Sequence, residues 1–338
     1  MTGSSGRRLA GPGVLVPILT LLLGIAPAGA QTDLGGQRVG TSSGSFLKIP
    51  IDARGSAMAG AVCSCVSGPA AIFWNPAGLG IEPGSGVLAS GIDYPAGIPA
   101  GGLAASFPFE PIDGAIGFGF AGLTHDMRET DENHPLGTDR SFTYSVWALT
   151  LGASFGLTDK LSSGLAVKAY HEALGPEVGG PTLTAWLVDA GVIYFVGYRQ
   201  TRLGIALSNF GPDLRPGGTF NSHRAPAEIR YTGFSPPTFF RFGASVDPWN
   251  GERWQTTASI EIGHPADNRE VVRLGFEATL QHALALRAGY DFAADALHLN
   301  AGLGARLRFG EAVLHADYSF SDGGYFGSVH RWTLRYLW

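Results

Sequence analysis

Residues 297–307 have the sequence LHLNAGLGARL, in which apolar side chains occupy every second position. A period of two places successive side chains on opposite faces of a β-strand, so one face would be apolar and the other polar or small. The same alternation runs through residues 253–262 and 271–280. It fits a soluble β-sandwich as well as a membrane β-barrel, and these three segments alone do not separate the two folds.

Alternating segments continue in both directions along the chain, and we predict fourteen strands in all. Their approximate bounds are 85–94, 99–107, 114–123, 142–157, 161–170, 182–196, 201–208, 239–246, 253–262, 271–280, 283–291, 297–307, 312–320 and 326–338. Outer-membrane barrels of bacteria have an even number of strands, and a tilted strand of about ten residues crosses the hydrocarbon layer. Strand number and strand length therefore favour a transmembrane barrel.

The connections between these strands alternate in length. One set is short and comprises residues 108–113, 158–160, 197–200, 247–252, 281–282 and 309–311. The other set includes long stretches after Leu123 and Tyr170 and the Pro- and Gly-rich residues 209–238. Short periplasmic turns opposite long external loops are typical of outer-membrane barrels, and a soluble sandwich has no reason to show them. The sequence predicts an all-β, antiparallel, up-and-down transmembrane β-barrel of about fourteen strands in contact with outer-membrane lipid.

The chain begins with the features of a secretory signal peptide. Arg7 and Arg8 precede an apolar run over residues 14–25, and residues 28–30 (AGA) supply small side chains for cleavage. A retained membrane anchor is the alternative, but Pro17 interrupts the run, which is also shorter than the roughly 20 residues of a spanning helix. We predict that residues 1–30 are a cleaved signal peptide and that the protein is exported to the cell outer membrane of a Gram-negative bacterium.

The overall composition excludes one class of partner. Charged residues make up only 15% of the chain, and the formal net charge is −5. This mild acidity, without a basic cluster, argues against nucleic acid. The 50 glycines occur without a collagen period or the charge of a disordered chain, so they indicate many strands and tight turns.

Residues 40–80 differ from the rest, because they are crowded with Gly, Ala and Ser and follow neither a strand nor a helical period. Residues 69–74 are predicted to form one short helical turn, since their first residue is a proline, which is favoured at that position. Pro76 ends the turn and pushes Asn75 into an extended conformation, where its amide can hold a tight corner. A small-residue segment with Trp74 near its tip suits a plug inside a larger structure.

Reactive side chains give little support for chemistry. Cys63 and Cys65 are the only cysteines, and neighbours two apart would form a strained bridge. We interpret them as small packed side chains rather than a redox or metal pair, because no further thiol or suitably spaced histidine completes a site. The nine histidines include no HExxH motif or close ligand pair, so no metal site is predicted.

Two strings resemble catalytic motifs without the context that such motifs require. Residues 40–44 (GTSSG) fit a nucleophile elbow but have no strand before them, and residues 117–122 (GFGFAG) fit a dinucleotide fingerprint but lie within a strand. An outer-membrane lipase with a Ser–His pair is a minor alternative that lacks the same context. We predict that the protein is not an enzyme and uses no cofactor.

The chain ends in an alternating strand with an aromatic last residue. Its apolar positions are Trp332, Leu334, Tyr336 and Trp338. Such a strand resembles the signal recognised by the barrel-assembly machinery of Gram-negative bacteria, a predicted partner during insertion; an ordinary final strand of a soluble β protein is the alternative. An arginine facing lipid at mid-depth costs about 2–4 kcal/mol, so Arg331 and Arg335 are predicted to face the lumen.

Eight charged or titratable residues occupy strand positions that alternate with the apolar ones, so their side chains are expected to face the lumen. They are Arg273, Arg287, Asp291, Arg306, His315, Asp317, Arg331 and Arg335. They are interpreted either as an ion-pair lattice that holds the barrel and its contents or as a ligand or proton path. We favour the lattice, since lumen side chains of barrels are generally polar.

Two end motifs resemble a known family. Residues 46–61 (FLKIPIDARGSAMAGA) and 70–79 (AAIFWNPAGL) are similar to the N-terminal signature of the PorV/PorQ outer-membrane proteins, which are related to the FadL fatty-acid transporters. Residues 316–338 (ADYSFSDGGYFGSVHRWTLRYLW) are similar to that family's closing hairpin. VDAGVIY around Asp189 and ALSNFGP around Asn209 look like its internal strands, so the resemblance covers nearly the whole mature chain.

The resemblance implies a fourteen-stranded barrel with an N-terminal hatch inside the lumen. The predicted domains are the signal peptide of residues 1–30, the hatch of residues 31–82 and the barrel of residues 83–338. Asn75 and Pro76 would form the hatch corner, with Trp74 and Gly78 beside them, and Arg54 would anchor the hatch to a lumen carboxylate. One departure is the replacement of the family's acidic pair before the corner by residues 67–69 (SGP).

Two functions follow from this resemblance. The first is protein secretion or cell-surface assembly as a type IX secretion-like component, whose partners would be a secretion translocon or secreted cargo. The alternative is FadL-like transport of a hydrophobic ligand. An apolar cavity beside the hatch with a lateral opening would favour transport, whereas a sealed lumen with a broad loop surface would favour a protein partner.

Overall fold

The computed structural model describes residues 38–130, 132–220 and 228–338. The predicted signal peptide lies outside these ranges. The division of the remaining chain into a hatch of residues 31–82 and a barrel of residues 83–338 stays a prediction.

Long antiparallel strands dominate the described chain. They are β1 (Gly86–Tyr94), β2 (Ile98–Phe109), β3 (Gly114–Arg128), β4 (Ser141–Thr158), β5 (Leu161–Leu174), β6 (Thr182–Phe195), β7 (Arg202–Phe210), β10 (Phe239–Asn250), β11 (Trp254–Pro265), β12 (Val271–Leu280), β13 (Leu284–Asp291), β14 (Leu299–Phe309), β15 (Ala312–Asp322) and β16 (Ser328–Leu337). Two short strands, β8 (Thr219–Phe220) and β9 (Ile229–Arg230), pair with each other between β7 and β10. The fourteen long strands close into one barrel, which confirms the predicted fold class.

Consecutive strands pair along the whole circuit, and the last strand pairs with the first. Gly86 of β1 lies opposite Leu337 of β16, and Ile92 lies opposite Arg331. β7 pairs with β10 across the small β8–β9 hairpin. The barrel is therefore up-and-down, with its short turns at one rim and its long loops at the other.

The apolar members of each alternating strand face outward. On β14, the side chains of Leu299 and Leu303 are 54% and 57% exposed, whereas Asn300 between them is 6% exposed. The terminal-strand residues predicted as an assembly signal, Trp332, Leu334, Tyr336 and Trp338, are likewise exposed on the outer face. An apolar outer band over a partly polar interior is the pattern of a barrel surrounded by lipid.

Several strands extend beyond their predicted ends at the long-loop rim. β3 continues to Arg128, where we predicted a loop after residue 123, and β5 continues to Leu174. Residues 124–128 are polar except for Met127, but they keep their pairing with β4 up to Arg128 opposite Ser141. Backbone pairing, which does not depend on an apolar face, carries the strands past the apolar band.

Within the described residues, helices are few and short. Two α-helices there, Ala53–Ala57 and Ala71–Trp74, precede the barrel, and 3₁₀ turns occur at Ser45–Lys48, Gly68–Ala70, Pro76–Gly78, Pro95–Gly97, Glu110–Ile112, Pro176–Val178, Tyr198–Gln200 and Gly324–Phe326. The helical turn predicted over residues 69–74 thus combines a 3₁₀ turn with one α-helical turn. No helix in the described part of the chain is long and apolar enough to cross a membrane.

Residues 42–82, called the N-terminal segment below, pack against the inner face of the barrel. Met58, Val62, Trp74 and Leu79 form one buried apolar cluster with inward-facing residues of the wall. A second buried cluster contains Phe46 of the segment, Tyr170 of β5, and Leu214 from the loop after β7. The N-terminal segment therefore lies beside the space inside the barrel that forms the candidate site.

Candidate functional site

Asn75 forms the corner of the N-terminal segment and is fully buried. Its backbone is extended, with φ −153° and ψ 105°, as expected before a proline. Its Oδ1 accepts a hydrogen bond from Ala77 N–H at 3.1 Å, and its Nδ2 donates to the Cys63 carbonyl at 2.8 Å. Nδ2 also lies 3.4 Å from the Val192 carbonyl of β6 and 3.3 Å from the Ile205 carbonyl of β7. Asn75 therefore joins two parts of the segment to the wall.

Glycines line the wall where the N-terminal segment approaches it. A Cβ built on Gly191 would lie 1.9 Å from Asn75 Oδ1, and one built on Gly164 would lie 2.4 Å from the Ala77 nitrogen. Similar clashes with the segment arise at Gly102, Gly117, Gly119, Gly152, Gly204, Gly289 and Gly302. A strand glycine of this kind marks the close approach of another chain segment, so the segment packs directly on the wall's backbone.

Arg54 and Arg287 share the carboxylate of Glu277. Arg54 Nε and Nη2 donate to the two oxygens of Glu277 at 3.0 and 2.9 Å, and Arg287 Nε donates to the same carboxylate. Arg287 Nη1 then donates to Asp317 Oδ1 at 2.6 Å. Bidentate arginine–carboxylate pairs fix orientation as well as distance. This network connects the N-terminal segment with β12, β13 and β15.

A second network surrounds Arg273 of β12. Arg273 Nε donates to Asp291 Oδ2 at 2.8 Å, and its Nη1 lies 3.5 Å from Glu261 Oε1. Glu261 is 1% exposed, and its other oxygen accepts the Cys63 N–H at 3.1 Å. The wall thus holds the segment's backbone at Cys63 through a buried carboxylate.

The arginines of the last strand also contact the N-terminal segment. Arg331 is 1% exposed; its Nε donates to the Pro50 carbonyl at 3.0 Å, and its Nη1 donates to Ser321 Oγ at 3.1 Å. Arg335 Nη1 donates to Glu82 Oε2 at 2.8 Å. Both side chains face the lumen.

The remaining two predicted lumen residues are neighbours in register. Arg306 of β14 lies opposite His315 of β15, which lies opposite Arg335. Within the described residues, no carboxylate lies at ion-pair distance from Arg306, His315 or Arg331. The other five predicted residues, Arg273, Arg287, Asp291, Asp317 and Arg335, take part in ion pairs.

The groups that were discounted as catalytic have structural partners. Both cysteine thiols are free and buried, and burial raises the pKa of Cys63 and of Cys65. Ser42 of the GTSSG string donates to Asp267, and the GFGFAG string lies inside β3. Among residues 38–130, 132–220 and 228–338, no cluster of three or more His, Cys, Asp or Glu could hold a metal.

A cavity of about 340 Å³ lies between the N-terminal segment and the barrel wall. Its apolar lining from the segment consists of Phe46, Leu47, Ile49, Pro50, Ile51, Ala59, Ile72, Phe73 and Trp74. The wall and loops add Ala121, Ala148, Pro237, Phe239, Val271 and Leu297. Concave, mostly apolar spaces of this size with a few polar groups are typical of small-molecule sites.

Charged side chains in the lining are engaged by the protein itself. Arg241 is 4% exposed, and its Nη2 donates to the Trp74 carbonyl at 2.9 Å and to Ser208 Oγ at 2.7 Å. The guanidinium lies 5.6 Å from the Trp74 ring centre and 5.3 Å from that of Phe239. Lys48 of the segment pairs with Asp267. These contacts leave mainly apolar surface for an occupant.

The wall beside the cavity contains a β-bulge between β6 and β7. The pairing register shifts between Val188 and Ala190, and Asn209 of β7 has a positive φ of 58°. In place of a regular ladder bond, Asn209 N–H donates to the carboxylate of Asp189 at 2.7 Å. Lys168 pairs with Asp189 at 2.9 Å and donates to Asn209 Oδ1 at 2.6 Å. A side-chain cluster therefore closes this seam of the wall.

Sequence reasoning missed Arg241, Lys168 and the glycine-lined wall. Arg241 and Lys168 occupy lumen-facing positions of predicted strands. The alternation of side chains that identifies Arg273 therefore identifies them as well. The strand glycines also share lumen parity, which distinguishes them from turn glycines. The cavity itself has no sequence signal, because its walls come from distant parts of the chain.

Comparisons with known proteins identify the fold. No protein-family model matches the sequence, and no curated protein matches it. The Ralstonia pickettii toluene transporter TbuX is 16% identical, with 85% of this chain and 97% of that chain covered and a TM-score of 0.53. The Pseudomonas putida toluene transporter TodX is 17% identical, with 84% and 96% covered and a TM-score of 0.53.

A third solved structure gives a similar result. The CymD monoaromatic hydrocarbon channel is 15% identical, with 85% of this chain and 96% of that chain covered and a TM-score of 0.52. At these identities the three likenesses show the barrel fold alone. Membership of the PorV/PorQ family is not shown.

Proposed function

We propose that this protein is an outer-membrane barrel that transports hydrophobic small molecules into the cell. The observation that carries the proposal is the cavity of about 340 Å³ beside the N-terminal segment. Its charged lining residues are held by protein contacts, so an occupant would gain mainly from burial of apolar surface, at about 25 cal/mol per Å². The chemical class that fits is an uncharged hydrocarbon or a similarly apolar molecule.

The fold comparisons support the same proposal. The three solved structures are of a toluene transporter from each of two bacteria and of a monoaromatic hydrocarbon channel. A fold shared with such proteins favours a transport function but does not assign a substrate. The outward apolar band and the aromatic terminal strand support placement in the outer membrane.

The β6–β7 seam is our proposed exit for the ligand into the lipid. Lys168 and Asn209 line the cavity on the inside, and Val188 and Phe210 are exposed apolar residues on the outside. A bulge interrupts the regular ladder there, so opening the seam requires the loss of side-chain contacts and few ladder bonds. A hydrophobic molecule would pass directly from the cavity into the hydrocarbon layer.

Protein secretion, which the PorV/PorQ resemblance implied, has less support. The transport hypothesis predicts an apolar cavity with a lateral opening; the cavity is present, and the lateral opening is our proposal at the β6–β7 seam. None of the three solved structures is a secretion component by its description. We therefore place transport first.

Ligand binding by the purified barrel tests the proposal. Ala148 lines the cavity and is 5% exposed, so Ala148→Phe should fill the space and lower the affinity for toluene at least tenfold. Ala301→Phe on the outer face of β14 adds the same ring outside and should leave the affinity unchanged. Absence of saturable toluene binding by the wild-type barrel, or equal binding by both variants, would contradict it.

A further inference from the structure

Trp74 stands between two spaces inside the barrel. It lines the large cavity and also a small void of about 10 Å³, which has room for about one water molecule. Of the residues that the structure describes, it alone borders both spaces. The small void is lined by the polar or charged residues Asp52, Arg54, Ser67, Asp317, Thr333 and Arg335 and by the apolar residues Val62, Val66, Ala70 and Leu88.

The indole of Trp74 is fixed in one orientation. Its Nε1–H donates to Oδ1 of Asp52, whose other oxygen accepts the Gly55 N–H at 2.8 Å and so caps the Ala53–Ala57 helix. A Cβ built on Gly55 would lie 2.6 Å from Trp74 Cζ2, and one built on Gly60 would lie 3.3 Å from Cζ3. Gly55 in the helix and Gly60 just after it therefore let the backbone approach the ring closely.

We infer that Trp74 is a specificity-determining residue, because its indole forms a floor that limits the length of the ligand and excludes polar ends. This inference rests on the proposed transport of hydrophobic molecules. Trp74 lies between a ligand in the cavity and the void, whose lining includes four charged side chains. Removal of the ring would join the two spaces, so a longer ligand with a polar end could then place that end beside Asp52, Asp317 and Thr333.

Two homologous series of ligands test the floor. We would measure the affinity of the purified barrel for n-alkylbenzenes and for ω-phenylalkanols of increasing chain length. Each buried methylene raises the affinity roughly fourfold until the chain reaches an obstacle. In the wild-type barrel we expect the gain to stop at the floor for both series, and in Trp74→Leu to continue for about two further methylenes.

Phe73→Leu is the matched control. Phe73 lines the cavity but not the void, so its truncation enlarges an apolar space only. Longer phenylalkanols should therefore bind at least tenfold tighter to Trp74→Leu than to Phe73→Leu. An equal gain in both variants, or the same length limit in Trp74→Leu as in the wild type, would overturn the inference.

Folding and the proposed function are checked separately. Heat-modifiable migration on gels reports whether each variant forms a closed barrel. If Trp74→Leu does not form a closed barrel, Trp74→Phe is the second variant, because it removes the hydrogen bond to Asp52 and part of the ring. We expect its limit on ligand chain length to be longer by about one methylene. An unchanged limit would count against the inference. If the wild-type barrel binds neither series, the proposed function fails; if it binds both with an unmoved limit in the variants, only the role of Trp74 fails.

Discussion

Oδ1 of Asn75 occupies the space that a side chain on Gly191 would fill, since a Cβ built there would lie only 1.9 Å away. Gly191 belongs to the middle of β6, and Asn75 is the corner of the N-terminal segment. The same Asn75 amide contacts backbone carbonyls of β6 and β7. The wall and the segment are thus complementary at the level of single atoms.

Gly191→Ala should displace the corner. The added methyl group has no room, and overpacking of a buried site costs about 1–3 kcal/mol in the free energy of unfolding. Urea unfolding in detergent micelles measures this cost. Gly91→Ala on β1 is the control, because a Cβ there meets nothing within 4 Å. Equal stability of the two variants would show that the segment does not pack as described.

Asn75→Ala should loosen the N-terminal segment while leaving the barrel closed. The change removes the acceptor of the Ala77 N–H and the donor to the Cys63 carbonyl, and each buried group left unsatisfied costs about 1–3 kcal/mol. Limited proteolysis of the folded protein should then cut within the segment. Asn250→Ala at the exposed rim serves as the control. Unchanged protease resistance of Asn75→Ala would contradict the hypothesis that Asn75 holds the corner of the segment.

Glu277→Gln should be among the most damaging single changes in the lumen. It leaves Arg54 and Arg287 without their shared carboxylate, and breaking a buried ion pair costs about 3–5 kcal/mol. Asp295→Asn, which breaks an exposed pair with Arg269, should cost about 0–1 kcal/mol. Comparable losses in the free energy of unfolding for both variants would argue against a buried network.

The two cysteines should resist alkylation in the folded protein. Burial raises the pKa of Cys63 and Cys65, so the thiolate fraction at pH 8 is lower than in the unfolded chain, and the thiolate is the reactive form. We expect iodoacetamide to label both thiols at least a hundredfold faster in urea than in the folded barrel. Labelling at equal rates would mean that the segment opens readily.

A disulfide across the β6–β7 seam should block transport. Val188 and Phe210 are paired in register and face outward, so cysteines at both positions, in a Cys63→Ala and Cys65→Ala background, can lock the seam. Uptake of labelled toluene by cells should fall at least tenfold and recover on reduction. The matched pair at Leu165 and Ala190 locks the neighbouring β5–β6 seam and should have no effect. Wild-type uptake with the β6–β7 seam locked would exclude this exit.

The strands of this fold are predictable from sequence because an alternating pattern is a local property. Apolar positions such as Leu299 and Leu303 mark the outer face without knowledge of any neighbour. Strand ends are less predictable: β3 continues to Arg128 through mostly polar residues, since backbone pairing with β4 does not require apolar side chains.

The candidate site was less predictable because it depends on which rows of the barrel face the N-terminal segment. Lumen parity selects Arg273 and Arg287 from sequence, but their partners Glu261 and Glu277 follow only from the strand register. Arg241 needs the segment as well, because its partners include the Trp74 carbonyl. Contacts between distant parts of the chain therefore define the cavity.

Anomalous diffraction from crystals soaked in bromobenzene tests the central claim most directly. The bromine atom reports the position of a small apolar ring without any assumption about the transport route. We predict one well-occupied bromine site inside the barrel, beside Phe46, Ile72 and Val271, and its loss in Ala148→Phe. Bromine sites confined to the outer apolar band, with an empty lumen, would contradict the account.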